Sequence, residues 1–513
     1  MSAAKVATNV VIVGADAPAW LSACVLHYAL APAGVNVSVI ELPGRARPAD
    51  VFATLPALEP LHTRLRIDEA KLIGATRGTF TLGKLFTDTG GRAAPFFHAY
   101  GSTGTRIDKK EFLPHWLRAR RAGFNVGFAE FCLTAAAARH GRMLVPDPEV
   151  EGFGFTDYGY HLPAIPYGAW LKGLALRRGV QVQAAQSVAA RLNPDGDIAA
   201  LDLDGGRQVA GDFFLDVTGS DARLIGAALG VKAQSWRASF VADRALSAFG
   251  APLPAAPIYS EVRACAEGWV SLQASQVCTH LAHVYASDAG SGGDDAALRT
   301  LARVTRMELR DATVRPLDPG RRLSPWQRNC VAIGESACRF DPIHSVDLQA
   351  VQIGLVHLLP LFPVSADYGV ERTEYNQNVG AAFERIRDFQ QAHYHLNRYG
   401  DSAFWQEARA AQPGPELAHK IDAFRARGDV VYYEDETFAI DDWQALLLGH
   451  GVLPATYDPA VDRTSQAVVE KEFRRILEFI ARKVGEQVSH AEYLQTVCAP
   501  PGPGARAAGP AFS

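Results

Sequence analysis

The sequence predicts an α/β fold: a parallel sheet of the two-dinucleotide-domain type, with a helical C-terminal region. Three observations predict it. Residues 9–42 run strand, tight turn, helix and strand, and end on an acid. Two later segments, near 213–220 and 329–335, repeat a buried strand that runs into a glycine turn. The stretch 385–495 reads as largely helical.

Asn9 to Val13 (NVVIV) is β-branched and apolar, too short for a helix and suited to a strand covered on both faces. Gly14 breaks it, and Ala17 to Ala31 then has helical character, with Pro18 in the first turn where a missing N–H costs nothing. A second strand, Val35 to Leu42, carries Glu41 near its end, placed to accept hydrogen bonds from a ribose. Gly14, Ala15 and Ala17 are the candidate nucleotide contacts of the turn. The glycine fingerprint itself is altered: Gly14-Ala15-Asp16-Ala17-Pro18-Ala19 puts Asp16 where a pyrophosphate would lie against the helix N-terminus. Asp16 either opposes phosphate, turns outward, or simply caps the helix.

FFLDV leads into Thr218-Gly219-Ser220, and CVAI leads into Gly334-Glu335. Flavoproteins of the two-dinucleotide-domain type bring such turns back to the cofactor, which makes Gly219, Gly334 and Glu335 candidate FAD contacts. Glu335 stands where flavin hydroxylases place an aspartate on the ribityl chain. The inferred organisation is an FAD-type domain over 1–384 with inserted substrate-binding segments at about 45–175 and 236–325. A helical region over 385–495 follows, then a disordered tail over 496–513, Pro-, Gly- and Ala-rich from about Ala499.

Composition removes several function classes. With 513 residues, 48% hydrophobic, the chain can bury a large core. A net charge of −4 lacks the basic footprint of a nucleic-acid binder. Seven scattered cysteines without a C-x-x-C pair read as reduced cytosolic thiols rather than disulfides or a metal knuckle. No apolar run reaches membrane-spanning length, and the first strand begins without a leader pattern, so a cytoplasmic protein with no membrane partner and no metal is expected.

Several stretches, over roughly residues 9 to 495, resemble the flavin-dependent tryptophan halogenases. FFHAYGSTG (Phe96 to Gly104), YHLPAIPYGAWLKGLALRRGV (Tyr160 to Val180), the segment Asn329 to Pro363, RDFQQAHYHLNRYGDSAFW (Arg387 to Trp405) and Asp441 to Pro459 occur in that family's order. The resemblance implies FAD reduced by a separate flavin reductase, a hydroperoxide formed with oxygen, halide attack on it, and delivery of the oxidant by a lysine aided by a glutamate. It places Pro342, Ser345 and Val346 at the flavin and halide segment, and His98, Tyr100 and Trp269 at the substrate. The implied substrate is a small aromatic molecule, free or bound to a carrier protein. A homodimer is one assembly compatible with this family.

The chain departs from the family at each chemical step. Aligning Phe86 puts Thr81 at the lysine position; Lys84 lies three residues on and, in one regular strand, would face the other way unless a bulge formed at Gly83. His344 replaces the glutamate, and Val346-Asp347 replaces the Thr-Gly pair that holds halide, bringing a carboxylate beside an anion. Three readings follow. The first is an FAD-dependent oxidoreductase or monooxygenase with His344 as acid–base group. The second is a halogenase of an indole or phenolic substrate using Lys84. The third is a non-catalytic binding protein of the same fold. His393 and His395 alternate like zinc ligands but lack a third partner, and with Trp405 and Trp443 they read as packing.

Overall fold

The computed structural model describes residues 7–146, 155–288, 292–365 and 367–498. Its nucleotide-type sheet has six strands in the order Trp326–Gln327, Cys330–Ala332, Phe213–Val217, Asn9–Gly14, Asn36–Glu41 and Gln181–Ala184. All neighbours are parallel except the first pair. The three strand–glycine segments expected to converge therefore lie side by side. Val10, Val11, Ile12 and Val13 are buried, as a strand covered on both faces requires. Helix Asp16–Leu30 follows the first turn and buries Trp20, Leu21 and Leu26. Gly14 is required there, because a Cβ would come within 2.4 Å of the Val217 carbonyl oxygen on the neighbouring strand.

A second sheet of seven strands is built from both intervening stretches. Its order is Arg310–Pro316, Arg244–Gly250, Thr279–Tyr285, Gly268–Ala274, Ser260–Cys265, Gly83–Asp88 and Phe96–Ala99. Helices then dominate: Gly369–His395, Ala403–Ala410, Pro415–Arg427, Ile440–Gly449, Gln466–Glu486 and His490–Thr496. The first and fourth of these bring aromatic and histidine side chains onto the seven-stranded sheet. The tail expected after 496 lies, beyond residue 498, outside the described residues. Among the described residues no helix is long and apolar enough to cross a membrane.

One local expectation changes. A strand and glycine turn of this type would open a helix directly after Gly334. Instead a single turn, Gly334–Ser336, is followed by the strand Cys338–Arg339, and the helix starts only at Asp347. The chain is diverted because Cys338–Arg339 pairs with Gly320–Arg322. The buried Asp216 carboxylate also binds the turn region, accepting from Ser336 Oγ at 3.2 Å and from the backbone N–H groups of Leu224 and Ile225 at 2.8 Å each. A polar group buried this deeply needs its hydrogen-bonding capacity filled, as it is here.

Candidate functional site

The nucleotide side is formed where the parallel strands end. Gly219 and Gly334 adopt left-handed backbone (φ 68° and 65°). A Cβ on Gly219 would sit 3.3 Å from the Arg45 guanidinium and 3.4 Å from the Glu335 carboxylate, so these separate loops meet at one place. Ala15 is the residue preceding the helix and Ala17 is fully buried in its first turn. Asp16 does not cap this helix and does not turn away. In left-handed backbone itself (φ 58°), it accepts the backbone N–H groups of Arg45 at 2.6 Å and Ala46 at 3.1 Å. The Arg45 side chain pairs with Asp221 and reaches Ser220 Oγ at 3.3 Å. Glu41 is at its expected strand end, with both oxygens on Lys172 Nζ at 2.7 and 2.6 Å.

The lysine region departs from the expectation of one regular strand. Thr79–Thr81 belongs to a three-stranded sheet with Val51–Ala53 and Gly159–Pro163, whereas Gly83–Asp88 belongs to the seven-stranded sheet. The chain changes sheets at Leu82 and Gly83. Gly83 has φ 147°, and a Cβ there would meet the His98 carbonyl oxygen at 2.2 Å, so only glycine allows this step. The Thr81 hydroxyl donates to the Gly83 carbonyl at 2.9 Å and so braces the same step. The count of residues from Thr81 consequently says nothing about which way Lys84 points. Lys84 points inward: 2% exposed, it donates from Nζ to the Ile343 carbonyl at 2.6 Å.

That contact brings the ammonium to the turn Pro342–His344, beyond which Ser345 takes left-handed backbone (φ 51°) and Val346 is buried. In register beside Lys84 on the next strand is His98, so the two share a face of the sheet. His98 Nε2 meets Asp442 Oδ1 at 2.7 Å. Its ring lies 5.4 Å from His344, 5.5 Å from Phe389 and 6.1 Å from both Phe438 and Tyr100. Phe389 stacks on Phe438 at 3.8 Å. Tyr100 is buried with its hydroxyl 3.4 Å from the Thr54 carbonyl. The residues expected to stack on a substrate therefore pack edge-on or tilted against the protein's own rings. Trp269 stands behind them: its indole N–H donates to the Tyr394 hydroxyl at 2.7 Å, which donates to Asp341 Oδ2 at 2.8 Å.

Burial dominates the electrostatics. It pushes the Lys84 ammonium down from 10.5 to about 7, opposed by the nearby Asp341 charge. It pushes Asp341 up to about 7, opposed by the Tyr394 hydroxyl, the Ile343 N–H and Lys84. His344 is held well below its usual value by burial first, then by His393, Lys84 and His98, so its imidazole is neutral. Asp347 opens the helix Asp347–Leu358; although the residue reaches the surface, desolvation and then Glu335 push its carboxyl up to about 7, which weakens the repulsion expected between it and a neighbouring anion.

The lysine shift has a stability consequence. Between about pH 7 and 10.5 the folded chain binds fewer protons at Lys84 than the unfolded chain, so this group makes stability rise with pH across that window. Below it both states are protonated and the full cost of burying the ammonium is borne. Lys84→Met is expected to melt higher than the native chain at pH 7, with the gap narrowing toward pH 10. A constant gap would show that Lys84 does not titrate in the fold.

Residues 9–466 match the family model described as tryptophan halogenase. The chain belongs to the tryptophan halogenase family. BrvH, a flavin-dependent halogenase from Brevundimonas sp. BAL3, superposes with a TM-score of 0.90 at 31% identity, covering 96% of this chain and 99% of that one. Xcc4156, a flavin-dependent halogenase from Xanthomonas campestris, gives 0.91 at 31% identity, covering 97% and 100%. The tryptophan 7-halogenase KtzQ of Kutzneria sp. (strain 744) is 26% identical, covering 95% of this chain and 97% of its own.

Within this tryptophan halogenase family member, sequence reasoning passed over Asp341, Tyr394, Asp442 and His450, and weighed His393 only as a metal ligand or a core residue. Asp341 had a signal, since it precedes Pro342 in the segment that carried the resemblance. Phe389 and His393 are spaced i, i+4 on one helix, which places them on one face, but that spacing reads equally as core. His450 carried no local signal, because the fold brings it in from 57 residues away.

Proposed function

We propose that this protein is an FAD-dependent oxidoreductase of monooxygenase type, acting on a small aromatic molecule, free or carrier-bound, with Lys84 and His344 as its acid–base pair. The observation that carries this reading is the Lys84 ammonium at 2.6 Å from the Ile343 carbonyl, beside a neutral buried His344. The residues present fit FAD. Gly14, Ala15, Ala17 and Glu41 would hold the adenosine end, Gly219, Arg45 and Gly334 the diphosphate, and Glu335, Pro342, Ser345 and Val346 the ribityl and ring end. The backbone N–H groups of Arg45 and Ala46 would have to exchange the Asp16 carboxylate for a phosphate oxygen.

Bound FAD, reduced by a separate flavin reductase, would supply the activation of oxygen. The chain's own groups do the rest. Lys84 holds a proton at Nζ that burial makes easy to give up near neutrality. His344, neutral, presents a bare ring nitrogen that takes a proton from the substrate as the bond to it breaks. Asp341 holds the turn through the Ile343 N–H at 3.0 Å and balances the charge of Lys84. Phe86, Phe389 and Phe438 exclude water, and a substrate ring would take the place of Phe438 against Phe389.

A second reading, halogenation of an indole or phenol through Lys84, draws on the same inward lysine. Incubation with FAD, a flavin reductase, NADH and oxygen, with and without chloride or bromide, separates the two when indoles and phenols are followed by mass spectrometry. Halide-independent addition of one oxygen atom is expected. Halide incorporation abolished by Lys84→Ala would overturn the proposal in favour of halogenation. No product under any condition would leave a binding protein.

A further inference from the structure

From the acid–base pair runs a file of three histidines, of which the reaction as described uses only His344. His344 Nε2 is 2.8 Å from His393 Nε2, and His393 Nδ1 is 3.1 Å from His450 Nε2. The three come from the turn Pro342–His344, the helix Gly369–His395 and the C-cap of helix Ile440–Gly449. All are at most 4% exposed. The file begins beside Lys84 and ends at a surface turn, where Gly451 and Arg398 are exposed.

We propose that His344, His393 and His450 form a proton relay between the buried centre and solvent. A neutral imidazole carries one N–H and one bare nitrogen. The middle ring uses both nitrogens in the file, so the three rings are locked into one of two senses. In the first, His344 Nε2–H donates to His393 Nε2, and His393 Nδ1–H donates to His450 Nε2. In the second, every bond is reversed. Among the described residues neither outer nitrogen, His344 Nδ1 or His450 Nδ1, has a protein hydrogen-bond partner, so each is left to take up or release a proton.

The proton balance closes. A proton arriving at His344 Nδ1 forms one N–H bond there. The Nε2 proton of His344 passes to His393 Nε2, the Nδ1 proton of His393 passes to His450 Nε2, and His450 Nδ1 releases its proton to water. Three N–H bonds break and three form, one proton crosses, and the rings are left in the second sense. Transfer in the opposite direction restores the first. Burial favours this route because it keeps all three rings neutral at pH 7, with His450 pushed down to about 3 by burial and then by Arg398. The charged groups facing the file, Lys84 and Arg398, act in the same direction.

The use of the relay in turnover rests on His344 being the acid–base group, but the relay itself can be tested without flavin. In full-length protein labelled with 15N-histidine, the ring N–H signals of His344 and His393 report exchange with solvent by NMR. His450→Phe and His450→Gln each interrupt the file, the second while keeping a hydrogen-bonding side chain. Either is expected to slow exchange of the His344 ring proton by about 100-fold, the low end of what a positioned proton-transfer group contributes. A purely structural role predicts the reverse, since loosened packing admits water and speeds exchange. Unchanged or faster exchange in the folded His450→Gln protein overturns the relay. Unchanged flavin-dependent turnover in a His450 variant whose ring-proton exchange is slowed would overturn only the use of the relay in turnover, not the relay.

Discussion

Asp16→Gly is expected to tighten FAD binding by about ten- to hundredfold. The Asp16 carboxylate fills the two backbone donors, Arg45 N–H and Ala46 N–H, that a diphosphate oxygen would use, and it adds a like charge beside that oxygen. Two unit charges about 4 Å apart at an effective dielectric near 20 interact by about 4 kcal/mol, and partial exposure with salt screening leaves about 1.4–2.8 kcal/mol of this. The fold should tolerate the change. Glycine relieves the left-handed backbone of Asp16, worth about 1 kcal/mol. That offsets much of the loss of two half-exposed hydrogen bonds at about 1 kcal/mol each. Titration of FAD fluorescence against native and variant protein at low and moderate salt measures the difference. Equal affinities in both proteins would mean that the carboxylate moves aside at no cost, and that the diphosphate is bound elsewhere.

Lys84→Met should lower the rate of the flavin-dependent reaction by about 10²–10⁴-fold, the range a positioned general acid supplies. Methionine keeps an unbranched apolar stem, in a side chain one atom shorter than that of lysine, so the packing under the sheet survives while the ammonium and its hydrogen bond to Ile343 are lost. Thr81→Val is the matched control at the position where the family alignment puts the lysine. It removes a hydroxyl that braces the Gly83 carbonyl and should act mainly on stability. Single-turnover rates of both variants, with FAD affinity measured alongside, check this. A larger rate loss for Thr81→Val than for Lys84→Met would return the active position to residue 81.

What was legible in the sequence was what short-range patterning controls. The strand–glycine–helix units named the central sheet, because alternation of buried runs and tight turns admits few other structures. The resemblance stretches named the family. Lys84 was misplaced because orientation along a strand is counted by twos only while the strand stays in one sheet. Gly83 stood as a possible bulge, but nothing local shows that the chain leaves one sheet for another there. The partners of Asp16 were equally out of reach, since whether its carboxylate meets a helix end or the loop at Arg45 and Ala46 depends on tertiary approach. Likewise His393 looked like core until helix Ile440–Gly449 set His450 against it.

The step at Leu82 and Gly83 also bears on how an active group can drift through a lineage. Because the chain passes there from one sheet to the other, the inward-facing lysine is defined by a location in space rather than by its count along the sequence. Lys84 holds its ammonium against the Ile343 carbonyl only while the glycine before it keeps its backbone conformation. An alignment column at residue 81 would register only the loss of a lysine and would miss the ammonium that Lys84 brings to the turn Pro342–His344.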